Sequence, residues 1–155
     1  MTELTVTIRE IQPEELDATV KLRHDMIMEI DGLDYDQVAP GWRERFKTFF
    51  AGYLQSNRGQ FFVAEDGDQL IGTAAVYKLS NHRSEITLRA SAYVCNVYVN
   101  PKWRRQGIAR ALTLRAVDWA KGNGCEVVRL RTSHLGRPLY EGIGFQRTDE
   151  LELRL

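Results

Sequence analysis

Between Glu85 and Asp118 the chain carries no acidic residue, yet Arg89, Lys102, Arg104, Arg105, Arg110 and Arg115 all fall there. The densest part, "NPKWRRQGIAR" (100–110), surrounds a single glycine, Gly107, just ahead of an amphipathic run that reads as a helix. A helix start leaves backbone N–H groups without intrahelical acceptors and carries partial positive charge. Acids normally occupy that first turn, so bases there are unfavourable unless an anion compensates them. Gly107 has no Cβ to hold such an anion off the backbone. The chemistry this predicts is the binding of a phosphate-like group at the helix start. It is not a P-loop, because GxxxxGK[ST] is absent, and the three-glycine dinucleotide fingerprint is missing as well.

Other chemistries find little support. No HExxH or Cys–His cluster exists, and His24 and Glu29 lack metal-ligand spacing, so no metal is expected. A serine-hydrolase GxSxG is absent. Cys95 and Cys125 have neither metal nor redox spacing and read as reduced cysteines. Lys+Arg and Asp+Glu both number 21, which gives no bias toward nucleic acid or an anionic membrane surface. No signal peptide is visible in "MTELTVTIRE", and no apolar run approaches the roughly 18 residues of a membrane span, so a cytoplasmic location is expected.

The elements that must position the basic turn follow from periodicity. "LTVTIREI" alternates as a half-buried strand, and "PEELDATVKLRHDMIMEI" carries a helical stripe of Leu16, Val20, Ile27 and Ile30. "DGLDYDQVAP" reads as an acidic loop and "GWRERFKTFFAGYLQ" as a second helix, whose Trp42, Phe46 and Phe50 are expected in the core. "QFFVAEDGDQLIGTAAVYKL" is a hairpin around Asp-Gly, and "SAYVCNVYV" is a further strand. The helix after Gly107 spans about Gln106 to Lys121 and stops at "GNG". "CEVVRLRT", a short helix "RPLYEGI" and an alternating "TDELELRL" complete the order β-α-α-β-β-β-α-β-α-β. With no linker-like stretch, residues 1–155 read as a single domain with a mixed α/β sheet, antiparallel early and joined by crossover helices later.

At this point the sequence resembles a family. "VNPKWRRQGIARAL" is similar to the acetyl-CoA-binding signature of the GNAT superfamily of N-acetyltransferases, Gln/Arg-x-x-Gly-x-Gly/Ala, here Arg104, Gly107 and Ala109. "GRPLYEGIGF" (136–145) resembles the same family's Leu-Tyr-Glu-x-x-Gly-Phe element, and "TDELELRL" the last strand of one of its branches. The resemblance implies a mostly antiparallel central sheet flanked by helices and splayed between its fourth and fifth strands. It implies acetyl-CoA as the acetyl donor, with its pyrophosphate on the backbone of Arg105, Gln106, Gly107, Ile108, Ala109 and Arg110, and Arg104 at the head of the signature. Val97, Tyr98 and Val99 would pair with the pantetheine arm, and backbone N–H groups of that strand would polarise the thioester carbonyl. Tyr140 stands at the position of the family's proton donor to the leaving thiolate; without the family it reads as a packed aromatic with a wet hydroxyl.

The reaction so implied is attack of a primary amine of a small molecule or peptide on a thioester, in a ternary complex. An alkylammonium is about 99.9% protonated at neutral pH, a handicap of about 4 kcal/mol, so a route for its proton is needed. Many relatives supply a glutamate on the strand before the turn; "AYVCNVYV" has none. Asn96 or Tyr98 holding a water, or Glu85 upstream, are the alternatives. The asparagine that many relatives place after the fifth strand is also absent; Ser133 aligns with it and offers one hydrogen bond to the coenzyme. His134 beside it reads as a solvated loop residue, and Arg23 and Arg115 as snorkelling or paired charges on helix faces in preference to substrate contacts. Glu29, Asp31, Asp34 and Asp36 border the expected acceptor pocket and suggest a cationic acceptor. Dimers are common among such proteins, which makes a homodimer a further expectation. A non-catalytic acyl-CoA-binding regulatory module of the same fold is the alternative reading.

Overall fold

The structure, a computed structural model, describes residues 5–155; Met1 to Leu4, the front of the first strand stretch and of the region read for a signal peptide, lie outside the described residues. Strand β1 (Val6–Glu10) leads through a single turn of 3-10 helix (Pro13–Glu15) into α1 (Leu16–Asp31). The short α2 (Tyr35–Val38) and α3 (Trp42–Gln55) follow, then β2 (Gly59–Asp66) and β3 (Gln69–Leu79). After α4 (His82–Thr87) come β4 (Ala90–Val99), α5 (Ile108–Gly122), β5 (Cys125–Leu130) and α6 (Arg137–Ile143).

The five strands form one sheet in chain order, antiparallel throughout except for the parallel β4–β5 pair. Parallel neighbours need a crossover, which α5 supplies. The β2–β3 hairpin turns at Gly67, where φ is +60°, as the Asp-Gly pair predicts. Alternation then splits the sheet into two faces. Phe62, Ala64, Ala74, Val76, Ala92 and Val94 pack against Ile108, Leu112, Ala116 and Ala120, which recur every fourth residue along α5. On the other face Phe61, Val63 and Ala75 meet Leu16 and Phe50, and Tyr98 meets Leu22, Met26 and Ile27 of α1. Trp42 and Phe50 are buried, and Phe46 packs with Phe50 and Phe61, as the aromatic face of that helix predicts.

Three local expectations change. Ile30 is 57% exposed, in the last turn of α1 before its Gly32 cap, and Met26 takes its place in the buried stripe. The polar stretch after β3 contains α4, opened by a capping box between Asn81 and Ser84. The expected last strand does not form: residues 145–155 have no regular structure, and Leu151 and Leu153 are 95% and 83% exposed. Alternation makes a segment amphipathic when extended, but it becomes a strand only by bonding to an edge. Here Glu152 instead bonds Arg131 and Arg154.

Candidate active site

The parallel ladder runs from Ala90↔Cys125 to Val94↔Leu130 and stops, because β5 ends there. β4 continues through Val99, still bonded to β3 on its other edge. Its Cys95–Val99 half therefore presents one edge without a strand partner among the described residues. A β-bulge marks the divergence: Asn96 and Val97 oppose the single Ala74, between the pairs Ala75↔Cys95 and Thr73↔Tyr98. Asn96 takes the left-handed region, φ +53°, which asparagine tolerates better than most residues. Such a bulge bends a strand and re-aims a side chain. Val97 and Val99 turn into the α5 core, and Tyr98 is buried against α1.

β4 then runs directly into the basic turn. Asn100 Oδ1 accepts from Lys102 N (3.1 Å), and Trp103 Nε1 donates to Asp66 Oδ2 (2.8 Å), which ties the turn to the β2–β3 hairpin. Arg105 and Gly107 have φ of +64° and +77°. The first intrahelical bond of α5 is Ala111 N to Gly107 O (3.0 Å), so the N–H groups of Ile108, Ala109 and Arg110 have no helical acceptor. No side chain caps this helix and no acid occupies its first turn. Gly107, Arg105, Gln106 and Arg110 are exposed; Ile108 serves the core with its side chain and the turn with its backbone. A Cβ at Gly107 would meet no protein atom within 4 Å, so the glycine answers to its backbone conformation and not to crowding.

The guanidinium of Arg104 points elsewhere. It forks onto Glu29 at 2.5 and 2.7 Å, donates from Nε to Val99 O (2.9 Å), and lies over the Tyr98 ring at 5.5 Å. The pair lowers the pKa of Glu29 and raises that of Arg104. Arg104 thus joins β4 to the end of α1, and its side chain is committed before any phosphate arrives. Tyr98 is enclosed by the same group, and burial together with the Glu29 and Asp25 charges pushes its pKa up.

Tyr140 lies on α6, half-buried beside Phe145, with Gly136 closely packed at its ring edge. Burial pushes its phenol up to about 12, so it keeps its proton throughout the neutral range. Ser133, in the β5–α6 loop, accepts from Gly136 N at 3.3 Å, and His134 is exposed. Glu85 sits on α4, beside the start of β4, whereas the gap opens along the far half of that strand. Arg115 donates to Ile8 O and covers the Phe62 ring, a snorkelling contact. Glu29 and Asp36 of the acidic region are both engaged: Asp36 accepts from Trp42 Nε1 (2.8 Å) and from Arg43 at 2.9 and 3.0 Å. His24, Asp34 and Asp36 do bring ligand atoms within 4.8 Å of one another. Asp36 is nevertheless spent on Arg43, and Asp34 Oδ1 accepts from Asp36 N, so the cluster builds the turn into α3.

The sequence model of the acetyltransferase (GNAT) family matches residues 24–145, which include the gap, the turn and Tyr140. The chain belongs to the GNAT family. This GNAT chain is 35% identical over 118 residues to N-acetyltransferase 8F1 of Rattus norvegicus, covering 74% of its own length and 52% of the relative's. It thus spans about half the length of the curated rat relatives it matches. Among solved structures, a predicted acetyltransferase with acetyl-CoA from Clostridium acetobutylicum superimposes with a TM-score of 0.82 at 27% identity, covering 97% of this chain and 96% of that one. A GCN5-related N-acetyltransferase from Ralstonia eutropha JMP134 shares the fold, with a TM-score of 0.82 at 22% identity and coverage of 97% and 98%. No helix among the described residues is long and apolar enough to cross a membrane.

Two features of the candidate site escape the sequence pattern. One is the Glu29–Arg104 clamp, whose partners lie 75 residues apart. The other is a 2.7 Å bond from Arg23 Nη1 on α1 to Asn96 Oδ1 at the bulge. The available signal for the second was a lone asparagine inside an apolar strand.

Proposed function

We propose that this chain transfers an acetyl group from acetyl-CoA to a primary amine by direct attack in a ternary complex. The observation that carries the reading is a continuity: the unpartnered edge of β4 leads without interruption into the uncapped start of α5 at Gly107. Strand edge and helix start are spaced along one chain segment as an extended thioester arm and a pyrophosphate would require. The N–H groups of Ile108, Ala109 and Arg110 hold the pyrophosphate, and Arg105 and Arg110 add charge around it. The freed backbone of Val97 to Val99 pairs with the pantetheine arm. Ser133 offers a hydrogen bond at the loop beyond β5. Arg104 supports β4 and leaves phosphate binding to the backbone.

In the transfer an N–C bond forms and the acetyl C–S bond breaks. The ammonium gives up one proton to become the nucleophile, and the new amide gives up a second. One of the two goes to solvent and one ends on the coenzyme thiol. Tyr140, protonated at neutral pH, stabilises the departing sulfur by hydrogen bonding. That Glu85 lies beside the start of β4, and that Glu29 is held by Arg104, favours the alternative of a non-catalytic acyl-CoA-binding module. Two measurements decide. Acetyl-CoA at a hundredfold excess over its Kd stabilises the fold by about 2.7 kcal/mol if the turn binds it. Amine-dependent thiol release then separates enzyme from binder, and absence of the thermal shift overturns both.

A further inference from the structure

Arg23 is a half-buried charge on the face of α1 that packs toward β4, set among the buried Thr19, Val20, Leu22, Met26 and Ile27. A guanidinium in such a place ordinarily faces a carboxylate, because desolvating an unpaired charge is costly. Arg23 has no such partner among the described residues; its hydrogen bond goes to the neutral amide of Asn96. Its Nε and Nη2 bond no atom of the described residues, and they are not sealed in the core.

Asn96 holds the guanidinium in place. Its side chain is buried, 7% exposed, and the bulge turns it toward α1. Arg23 is thereby fixed where β4 parts from β5, beside the edge on which the acetyl thioester is proposed to lie. Of the acids nearby, Glu29 is paired with Arg104, Asp25 with Lys21 and Asp36 with Arg43, and Asp34 caps α2 through Asp36 N. The neighbouring Cys95 thiol is pushed up to about 12 by burial and stays neutral. The uncompensated charge at the divergence is therefore positive, contrary to the cationic acceptor that the acidic loop suggests. Two residues before Cys95, on the same face of β4, Tyr93 stands beside Tyr77 with ring centroids 5.8 Å apart. Both tyrosines line a cleft of 500 Å³ that also includes Leu79, Arg83, Arg129 and Glu150; Arg23 and Asn96 stand outside its lining. A cleft of that volume suits a small molecule.

We propose that Arg23, positioned by Asn96, binds a carboxylate of the acceptor, so that the acceptors are amino acids and related amines carrying a carboxylate close to the reacting nitrogen. This rests on the acetyltransferase reading given above. Two free donor nitrogens on a planar guanidinium match a carboxylate in a way an ammonium group does not. The acceptor's own side chain extends toward Tyr77 and Tyr93.

The test compares matched acceptors by acetyl-CoA-dependent thiol release: each proteinogenic amino acid against the amine that lacks only its carboxylate, such as phenylalanine against 2-phenylethylamine. The best-used acid is expected to exceed its partner amine by about 10- to 100-fold in kcat/KM, chiefly through KM, as loss of a charge-assisted hydrogen bond implies. Arg23→Gln brings the two within about threefold, and Arg23→Lys keeps part of the preference. The acetyl-CoA-induced rise in Tm is retained in both variants, which shows that they fold. If the variants do not fold, the wild-type comparison decides alone. Equal use of acids and amines, turnover of amines only, or a preference that survives Arg23→Gln overturns the proposal while the acetyltransferase reading stands. Binding of acetyl-CoA with no turnover of any amine overturns that reading, and this proposal with it.

Discussion

Replacing Gly107 by alanine separates the two demands made on the basic turn. The residue has φ +77° and ψ +10°, and an added Cβ would touch no protein atom within 4 Å. The folding cost is therefore backbone strain alone, about 1–2 kcal/mol for an L-residue held in the left-handed region. For a chain of this size that lowers Tm by only about 2–8 °C. Binding suffers more, because the new methyl group stands where a pyrophosphate must approach the N–H groups. Loss of even one charge-assisted hydrogen bond costs about 1.5–3 kcal/mol, or about 10- to 100-fold in Kd. Gly124 supplies the control: its φ is +78° and its Cβ position is equally open, but it lies beyond the far end of α5. Gly124→Ala should therefore match the loss of stability and keep the wild-type affinity for acetyl-CoA. Calorimetric titration of both variants, with Tm measured in parallel, checks the pair. If Gly107→Ala binds acetyl-CoA within about threefold of wild type, below the loss of a single such bond, the coenzyme does not rest on this turn and the reasoning fails.

Glu29→Gln should cost no more than about 1 kcal/mol, since the clamp is two-fifths exposed, and should leave acetyl-CoA affinity unchanged. Tighter binding in that variant would show that Arg104, once released, is a phosphate ligand after all. Tyr140→Phe should lower kcat by about 100-fold or more with little change in acetyl-CoA Kd, the range expected for a positioned proton donor. Because burial holds that phenol at about 12, the wild-type pH–rate profile should show no fall attributable to Tyr140 below about pH 10. Glu15 is drawn down to about 2 by its hydrogen bonds from Arg9, so its contribution to stability is complete above its ordinary value of 4.5. That contribution disappears as pH falls through about 2, and Glu15→Gln should flatten acid denaturation across this window, by about 1–2 kcal/mol.

Much of this was legible in the sequence because it is local. Apolar periodicity and the Asp-Gly pair mark β2, β3 and α5, and the run of bases around Gly107 marks the uncapped helix start, on which the proposed coenzyme site rests, without reference to any other element. What alternation cannot give is the partner. "TDELELRL" has the pattern of a strand, yet it bonds to no edge, while α4 hides in a stretch whose only helix signal is the Asn81 capping box. The site divides in the same way. Positions on β4 and at the turn follow from one contiguous segment, but the fate of Arg104 depends on Glu29, and that of Arg23 on Asn96. Those pairings are set by how α1 lies across the sheet, and no spacing within either segment encodes it.

The bulge at Asn96 also bears on how this strand tolerates changes in length. Ala92 and Val94 face α5 before it, and Val97 and Val99 face α5 after it. Cys95 and Tyr98 likewise share the opposite face across it. Remove Asn96 and the sequence becomes an unbroken alternation, Val97 would pair with Ala74, and every other side chain would keep its face. The hydrophobic core has no need of this residue; a chain one residue shorter would make the more regular sheet. Asn96 is thus a surplus residue kept in an unfavourable conformation, and the bent strand it leaves is the one from which β5 departs. What it supplies instead is the bend itself and the amide that anchors Arg23.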